Sequence, residues 1–398
     1  MIYLDAAATT PVKREVLEAM WPYLTGDFGN PSSHHGVGDS AARALTAARR
    51  TVAEHLGCRP GEVVFTSGGT EADNLAVKGI ALGAPRGRHV VLSAIEHPAV
   101  VETVDHLRRL HGFEVTVLPV DSAGLVDPDD FSRALRPDTT LATLMYANNE
   151  VGTVQPLAAL AARAREAGVP FHTDAVQAAG WLPVRLDALG VDALSISGHK
   201  LGAPKGVGAL AVRQRLPLEP VLHGGGQERG ARSGTENVAF AVGLATALRL
   251  AEPGRADAAA RVTALRDDFI RAVLARVPGA VLTGPPLASD AARITSPQAG
   301  GGAHPDPRLP SVASFCFPGT SGESVLLQLE ERGVIVSSGS ACAAGSDEPS
   351  PVLLALGLTP DVAQTAVRFT LSPDTTAADL TSAVDSLAAG IADLSSLR

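Results

Sequence analysis

Aromatic residues are scarce in this chain. Ten Phe, three Tyr and two Trp make up 4 % of 398 residues, so its core must be built from aliphatic side chains. Cysteine is rarer still. Three thiols cannot form a disulfide framework, and one would be left over, which fits a reducing, cytoplasmic setting. Basic charge is in the minority: 33 Lys and Arg face 42 Asp and Glu, for a net charge of −9, which argues against nucleic acid as the main ligand. No segment reaches 18 uninterrupted apolar residues. The most apolar stretch, 238–250, is short and ends in charge, so no membrane span is expected. The opening MIYLDAAATTP lacks a basic region followed by an apolar run and is not expected to be a signal peptide. There is no H-x-x-x-H or C-x-x-C spacing, so His34, His35, His172, His199 and His223 give only a scattered hint of metal, and no metal site is expected.

What is present is apolar and punctuated. With 45 % hydrophobic residues the chain can bury a sizeable core, and its 40 Gly and 28 Pro are scattered through loops with no internal repeat. The length suggests two or three units. Residues 2–4 read as a short strand or arm, 12–24 and 38–56 as helices. From there β-rich apolar runs alternate with helical periods. Strands are expected at 62–66, 89–93, 114–119, 141–146, 170–173, 193–197 and 207–212, with helices at 71–82, 99–111, 129–135 and 157–167. This is the pattern of an α/β unit with a mostly parallel, seven-stranded sheet covered on both faces. Helices at 236–250 and 255–277 meet at Pro253–Gly254, where a boundary is placed. An arm at 1–15, a large domain at 16–255 and a smaller α+β domain at 256–398 follow. The smaller domain carries strands at 312–317, 334–337 and 367–371 with mixed pairing, and helices at 322–332 and 377–391. A Gly/Pro-rich stretch at 296–310 is a surface excursion or a partner site.

Four places carry chemistry. TSGGTEADN follows the apolar VVF and opens a helix. Gly68 and Gly69 permit a tight turn, Thr70 offers a hydroxyl at the cap, and free N–H groups point at whatever sits above, as a phosphate would require. An ordinary capped glycine turn is the bland alternative. SISGHKLGAPKGVG sets Lys200 after a strand among small residues, where it could pair with a phosphate or form a Schiff base with a carbonyl cofactor. Asp174 ends the strand in PFHTDA, at the sheet edge where open α/β folds bind ligands. A carboxylate there can pair with a protonated ring nitrogen, as pyridoxal phosphate needs. Glu96 and His97 precede a helix begun by Pro98, so His97 is either a lid or acid–base group over a flat cofactor or a polar helix entrance. Finally, SSGSACAAGSDEPS surrounds Cys342 with small polar residues. A structural thiol sits in an apolar strand, as Cys316 does in VASFCF, whereas Cys342 has the setting of a nucleophile or group carrier. Cys58, in a turn at GCRPGE, is given no role.

Taken in order, YLDAAATTP, GNPSSHH, TSGGTEADN, EHPAV, YANNEVGTVQP, HTDAVQAAG, SISGHKLGAPKGVG, RSGTENV, SSGSACAAG and VRFTL resemble the pyridoxal-phosphate cysteine desulfurases of the NifS/IscS type, in the class V aminotransferase superfamily. The resemblance covers at least 350 residues. It implies a fold-type I enzyme. Lys200 would hold pyridoxal 5′-phosphate and move the substrate α-proton, Asp174 would pair with the pyridine nitrogen, Gln177 would bond the ring hydroxyl, and His97 would stack on the ring and assist proton transfer. Gly69, Thr70, Ser197 and His199 would hold the phosphate, with Thr235 reaching the phosphate of a neighbouring subunit in a homodimer. Asn149, also beside the cofactor, and Arg368 would hold the substrate amino acid, with Asn30 as a further candidate. L-Cysteine would become L-alanine and leave a persulfide on Cys342, its sulfur passing to an acceptor such as an iron–sulfur scaffold or a tRNA thiolase. Cys342 could also ligate a transferred iron–sulfur cluster. The cysteine loop resembles the long-loop subgroup and not the one with an R-x-G-H-x-C pattern. Where the family often has R-F-S-x-G, this chain has RFTLSP, with Ser372 at the usual glycine. The competing readings are a selenocysteine lyase or another class V enzyme, a non-catalytic scaffold of a sulfur-transfer complex, and an enzyme acting on tRNA directly.

Overall fold

The computed structural model describes residues 1–83, 85–287, 307–338 and 348–396. Cys342 and most of the stretch 296–310 therefore lie outside the described residues.

The chain begins with a two-residue strand, β1 (Ile2–Tyr3), that does not join the large sheet. Seven later strands form that sheet: β2 (Val63–Thr66), β3 (His89–Ser93), β4 (Glu114–Leu118), β5 (Thr139–Thr143), β6 (Phe171–Asp174), β7 (Ala193–Ser197) and β8 (Gly208–Val212). Their order is β2-β8-β7-β6-β5-β3-β4. Every pairing is parallel except those of β8, which runs against both β7 and β2. The strands read as continuous apolar runs because both faces are covered. Alternate side chains go to opposite faces of the sheet: Val63 and Phe65 pack with Val91, Ala142 and Leu194 on one, while Val64, Val90, Leu92 and Leu141 pack on the other. Helices Arg14–Thr25, Gly36–His55, Leu157–Glu166 and Val238–Ala251 cover the first face, and Gly69–Gly83 and Pro98–His111 the second.

The second core belongs to a four-stranded antiparallel sheet in the order β12-β13-β10-β9, formed by β9 (Val281–Leu282), β10 (Val312–Cys316), β12 (Ser337–Ser338) and β13 (Ala366–Thr370). Helices Arg255–Arg276, Gly322–Glu331 and Ala377–Ser396 pack on it around Phe269, Phe315 and Phe369. Three of the chain's few aromatic rings are thus spent on one small core. The mixed pairing expected there separates into this antiparallel sheet and a parallel pair, β1 with β11 (Val334–Ile335). The single strand expected at 334–337 is accordingly two strands with different partners. Leu4 follows β1 into the same core and is fully buried.

The strand expected at 141–146 lies earlier, at Thr139–Thr143. Its polar start hid it: Thr139 and Thr140 are buried, and their hydroxyls bond His89 Nδ1 at 2.8 Å and the Gly87 carbonyl at 2.7 Å. Beyond β5 the chain leaves the ladder but still donates from Leu144 to His172 O and from Tyr146 to Asp174 O. The sequence also conceals β9 and the short helices Leu186–Leu189, Pro351–Ala355 and Pro360–Ala363, which are too brief to show a period.

Candidate active site

Strand order changes direction between β3 and β5, because β4 follows β3 on one side whereas β5, β6 and β7 follow on the other. The crevice outside the carboxyl ends of strands at such a point is where open α/β sheets bind ligands. Here it is a cavity of about 280 Å³ lined by Ala7, Ala8, Gly69, Thr70, Asp73, His97, Met145, Asn149, Asp174, Val176, Gln177, Ser197, His199, Lys200 and Arg368. Ten residues expected from the sequence converge there. Asn30 and Thr235 do not. Asn30 is exposed and closes its own turn by accepting from Ser32 N at 2.9 Å, and Thr235 is exposed on the loop before Val238–Ala251.

The wall formed by the end of β2 is made of small residues. The helix begins at Gly69, so Thr70 lies in its first turn and does not cap it as expected. A side chain at Gly69 would come within 2.7 Å of Val176 Cγ2. One at Gly208 would come within 2.6 Å of the Gly68 carbonyl carbon, so the antiparallel β8 approaches the turn only because position 208 lacks Cβ. The first N–H groups of a helix have no partner within it. Ser67 N–H, just before, is already met by Glu71 Oε2 at 2.8 Å, and Glu71 in turn is held by Arg232 Nε at 2.7 Å. Ser197 Oγ is buried without a hydrogen-bond partner among the described residues, near the position a Gly69 Cβ would take (Ser197 Cβ at 3.5 Å).

The floor carries the charged groups. Asp174 is buried at the end of β6, and its Oδ1 accepts from Val176 N at 2.8 Å. Burial pushes its carboxyl up, with His97 and Lys200 opposing. Lys200 closes a single 3-10 turn after β7 and donates to the carbonyls of Ala7 and, at 2.8 Å, Ala8. His199 is pushed down to about 4 by burial and then by the charges of Lys200 and Lys205, so its ring is neutral near pH 7 and meets Thr9 Oγ1 at 3.2 Å. His97 is at the helix entrance and also faces the cavity, and it caps Pro98–His111, its Nδ1 accepting from Ala99 N at 3.0 Å. That bond places the proton of the neutral ring on Nε2. Burial holds His97 below its ordinary value, with Asp174 opposing and Lys200 assisting.

The far wall comes from the smaller sheet. Arg368 on β13 is fully buried. Its Nη1 donates to Asn149 O at 3.0 Å and its Nη2 to Asp5 Oδ1 at 2.9 Å, leaving Nε without a partner among the described residues. Ser372, at the family's usual glycine, keeps ordinary backbone angles and forms a local turn with Thr375 at 2.9 Å, so the departure does not disturb this arginine.

Sequence reasoning missed Asp73. It lies four residues after Gly69, on the same helix face, and that spacing could have revealed it. It is buried with Oδ1 3.7 Å from His172 Nε2, and its carboxyl is pushed up by burial and then by the charge of Asp174. His172, between Thr143 Oγ1 at 2.8 Å and Ser195 Oγ at 3.0 Å, is pushed down to about 3 by burial and links β5 to β7 within the sheet. Among the described residues no group of three His, Cys, Asp or Glu could hold a metal ion, and no helix is long and apolar enough to cross a membrane.

A glycine-walled anion cradle with an unmet serine hydroxyl, a lysine, a buried carboxylate and a histidine at the switch point define a pyridoxal-phosphate enzyme of fold type I. Residues 2–382 match the family described as "Aminotransferase class-V". The cysteine desulfurase IscS of Dictyoglomus turgidum is 46 % identical over 97 % of this chain and 93 % of its own length. A solved NifS-like protein superposes with a TM-score of 0.87 at 34 % identity, covering 99 % of this chain and all of the other. A structure described as SspA in complex with cysteine gives a TM-score of 0.78 at 35 % identity, over 94 % of this chain and all of the other. The chain belongs to the NifS/IscS-type cysteine desulfurases of the class V aminotransferase family.

Proposed function

We propose that the cavity converts L-cysteine to L-alanine and loads the released sulfur onto Cys342. The observation that carries this reading is the placement of Lys200, Asp174 and His97 on one side of a single cavity and Arg368 with Asn149 on the other. The residues fit pyridoxal 5′-phosphate. Gly69, Thr70, Ser197 and His199 would hold its phosphate, Asp174 its ring nitrogen, Gln177 its ring hydroxyl and Lys200 its aldehyde. When bound, the cofactor supplies an electron sink for the substrate α-carbon.

The chain's own groups do the rest. Arg368 and Asn149 orient the amino acid, Arg368 by charge-assisted bonds to its carboxylate. Lys200 carries the α-proton, and His97, neutral with its proton on Nε2, is suited to exchange one at the substrate sulfur or the ring. The Cβ–S bond breaks, Cβ takes a proton and an S–S bond forms on Cys342. One L-cysteine and one thiol thus become one L-alanine and one persulfide, with no external oxidant or reductant. The other two thiols are poor alternatives. Burial pushes Cys58 up to about 12 and Cys316 up to about 11, so neither forms a thiolate near neutral pH.

A homodimer with Thr235 acting on the neighbouring subunit's phosphate is supported by that residue's exposure away from its own cavity. It is also supported by an apolar stripe on Arg14–Thr25: Leu17, Trp21 and Leu24 are exposed at i, i+4 and i+7, followed by Phe28 at 70 % exposure. The acceptor is best read as an iron–sulfur scaffold, with a tRNA thiolase second, in a cytoplasmic setting that the unpaired thiols favour.

The test is stoichiometric. Purified protein with L-cysteine should yield equal alanine and Cys342 persulfide, and Lys200→Ala and Cys342→Ala should each abolish the persulfide. Undiminished alanine and persulfide from Cys342→Ala, or fast turnover of selenocysteine with little of cysteine, would overturn the reading. Labelled sulfur chased from cysteine into cell extract should mark an iron–sulfur scaffold. Exclusive marking of a thiolase would overturn that choice of acceptor.

A further inference from the structure

The turn Asn148–Gly152 joins the two cores at successive residues. Buried Asn148 shapes it, its Oδ1 accepting from Glu150 N at 2.8 Å and Val151 N at 2.9 Å while its Nδ2 donates to Ile95 O. Each of the next three residues then accepts one bond from the C-terminal part of the chain. Asn149 O takes Arg368 Nη1 at 3.0 Å, Glu150 Oε2 takes Ser350 Oγ at 2.5 Å, and Val151 O takes Arg308 Nη1 at 3.1 Å. The first and third use carbonyls. The second uses the carboxyl of a half-buried glutamate that has no ion pair among the described residues. Burial pushes it up to about 7, against the Ser350 bond and the charge of Arg368.

Ser350 also accepts from Leu353 N at 3.3 Å and so starts the helix Pro351–Ala355. Cys342 lies in sequence between Ser338 and Ser350, and both ends of that interval are tied to the far wall of the cavity. Ser337 and Ser338 pair with Arg368 and Val367, and Ser350 is bonded to the residue after Asn149.

We propose that Glu150 is a positioning residue for the sulfur-transfer step: by accepting from Ser350 it anchors the return of the Cys342 segment to the turn that presents Asn149 to the substrate. The inference rests on the cysteine desulfurase reading above. It separates substrate binding, which Asn149 and Arg368 perform, from sulfur capture, which the anchor serves.

The experiment compares the holoenzyme with Glu150→Ala, Glu150→Gln, Ser350→Ala and the double alanine variant. Three quantities are read: the cofactor's visible-band change on adding L-cysteine, the single-turnover rate of persulfide formation on the Cys342 peptide by mass spectrometry, and the thermal midpoint. Glu150→Ala is expected to bind cysteine within about twofold of the parent but to load Cys342 up to about tenfold more slowly, the scale of one hydrogen bond. Glu150→Gln, whose amide oxygen still accepts from Ser350, should restore most of the rate. The double variant should be no slower than Ser350→Ala alone. Parental loading by Glu150→Ala, multiplicative losses in the double variant, or equal loss of binding, loading and thermal stability would each overturn the inference. Absence of persulfide from the unsubstituted holoenzyme would instead overturn the desulfurase reading and this inference with it.

Discussion

Replacing Glu96 by Gln should make stability less dependent on pH. Glu96 is buried beside the cavity, where its Oε1 meets Ser93 Oγ at 2.5 Å and both its oxygens accept from Met145 N at 3.0 Å. Burial pushes its carboxyl up to about 8, the Ser93 and Met145 bonds opposing. Between the ordinary carboxyl value of 4.5 and about 8, the folded chain holds a proton that the unfolded chain has released. Stability therefore falls as pH rises through this window, by up to about 1.4 kcal/mol per unit. From pH 6 to pH 8, where the folded group itself begins to ionise, the loss is about 2 kcal/mol. Gln has the same shape, can accept from Met145 N and donate to Ser93 Oγ, and does not titrate. The Glu96→Gln variant should thus gain about 2 kcal/mol on the parent between pH 6 and pH 8. The assay is guanidinium unfolding at pH 6, 7 and 8, with protein and pyridoxal phosphate concentrations fixed because both shift apparent stability. A difference that stays flat with pH would mean that Glu96 is ionised throughout, and that two hydrogen bonds offset its burial.

Three further outcomes follow from the same geometry. Arg368→Lys keeps the charge but not the planar fork that reaches Asn149 O and Asp5, so the KM for L-cysteine should rise on the order of 10- to 100-fold with cofactor content unchanged; an unchanged KM would remove Arg368 from the substrate. Gly69→Ala places a methyl 2.7 Å from Val176 Cγ2 at the cradle, and equilibrium titration should show pyridoxal phosphate bound at least about tenfold more weakly. Leu4→Ala empties a fully buried site in the smaller core and should cost about 2–4 kcal/mol in denaturant unfolding, although the residue is only four from the start of the chain.

The parallel sheet was legible because burial on both faces leaves apolar runs such as HVVLS and ALSIS, which coincide with β3 and β7. The strand-end groups were legible for a related reason. Lys200 and His97 follow such a strand and Asp174 ends one, and the carboxyl end of a strand is where an α/β fold exposes its ligand site. Legibility ended where function depends on pairing across the chain. Nothing near Glu150 announces Ser350, 200 residues away. Asp5 reads as one polar residue in an arm, yet it holds Arg368 across 363 residues. Asn30, named only through the family resemblance, lies outside this cavity, where its side chain closes a local turn, an ordinary use of such a residue.

The N-terminal arm shows why the cavity cannot be assigned to either core alone. Ile2 and Tyr3 pair with Val334 and Ile335, and Leu4 is buried among Phe269, Phe315 and Phe369, so the arm starts as part of the smaller sheet. Asp5 then fixes the far-wall arginine. Ala7 and Ala8 offer carbonyls to the floor lysine, and Thr10 bonds the His199 carbonyl and Gly202 N around the same turn. Within ten residues the chain has crossed the cavity from the substrate wall to the lysine turn. Each contact is weak by the standard of a core, but they act in series on one short segment, so shifting the arm moves Arg368 and Lys200 together. A substitution such as Leu4→Ala, far in sequence from every reacting group, should therefore alter substrate binding and the lysine turn jointly, whereas Arg368→Lys should alter only the former.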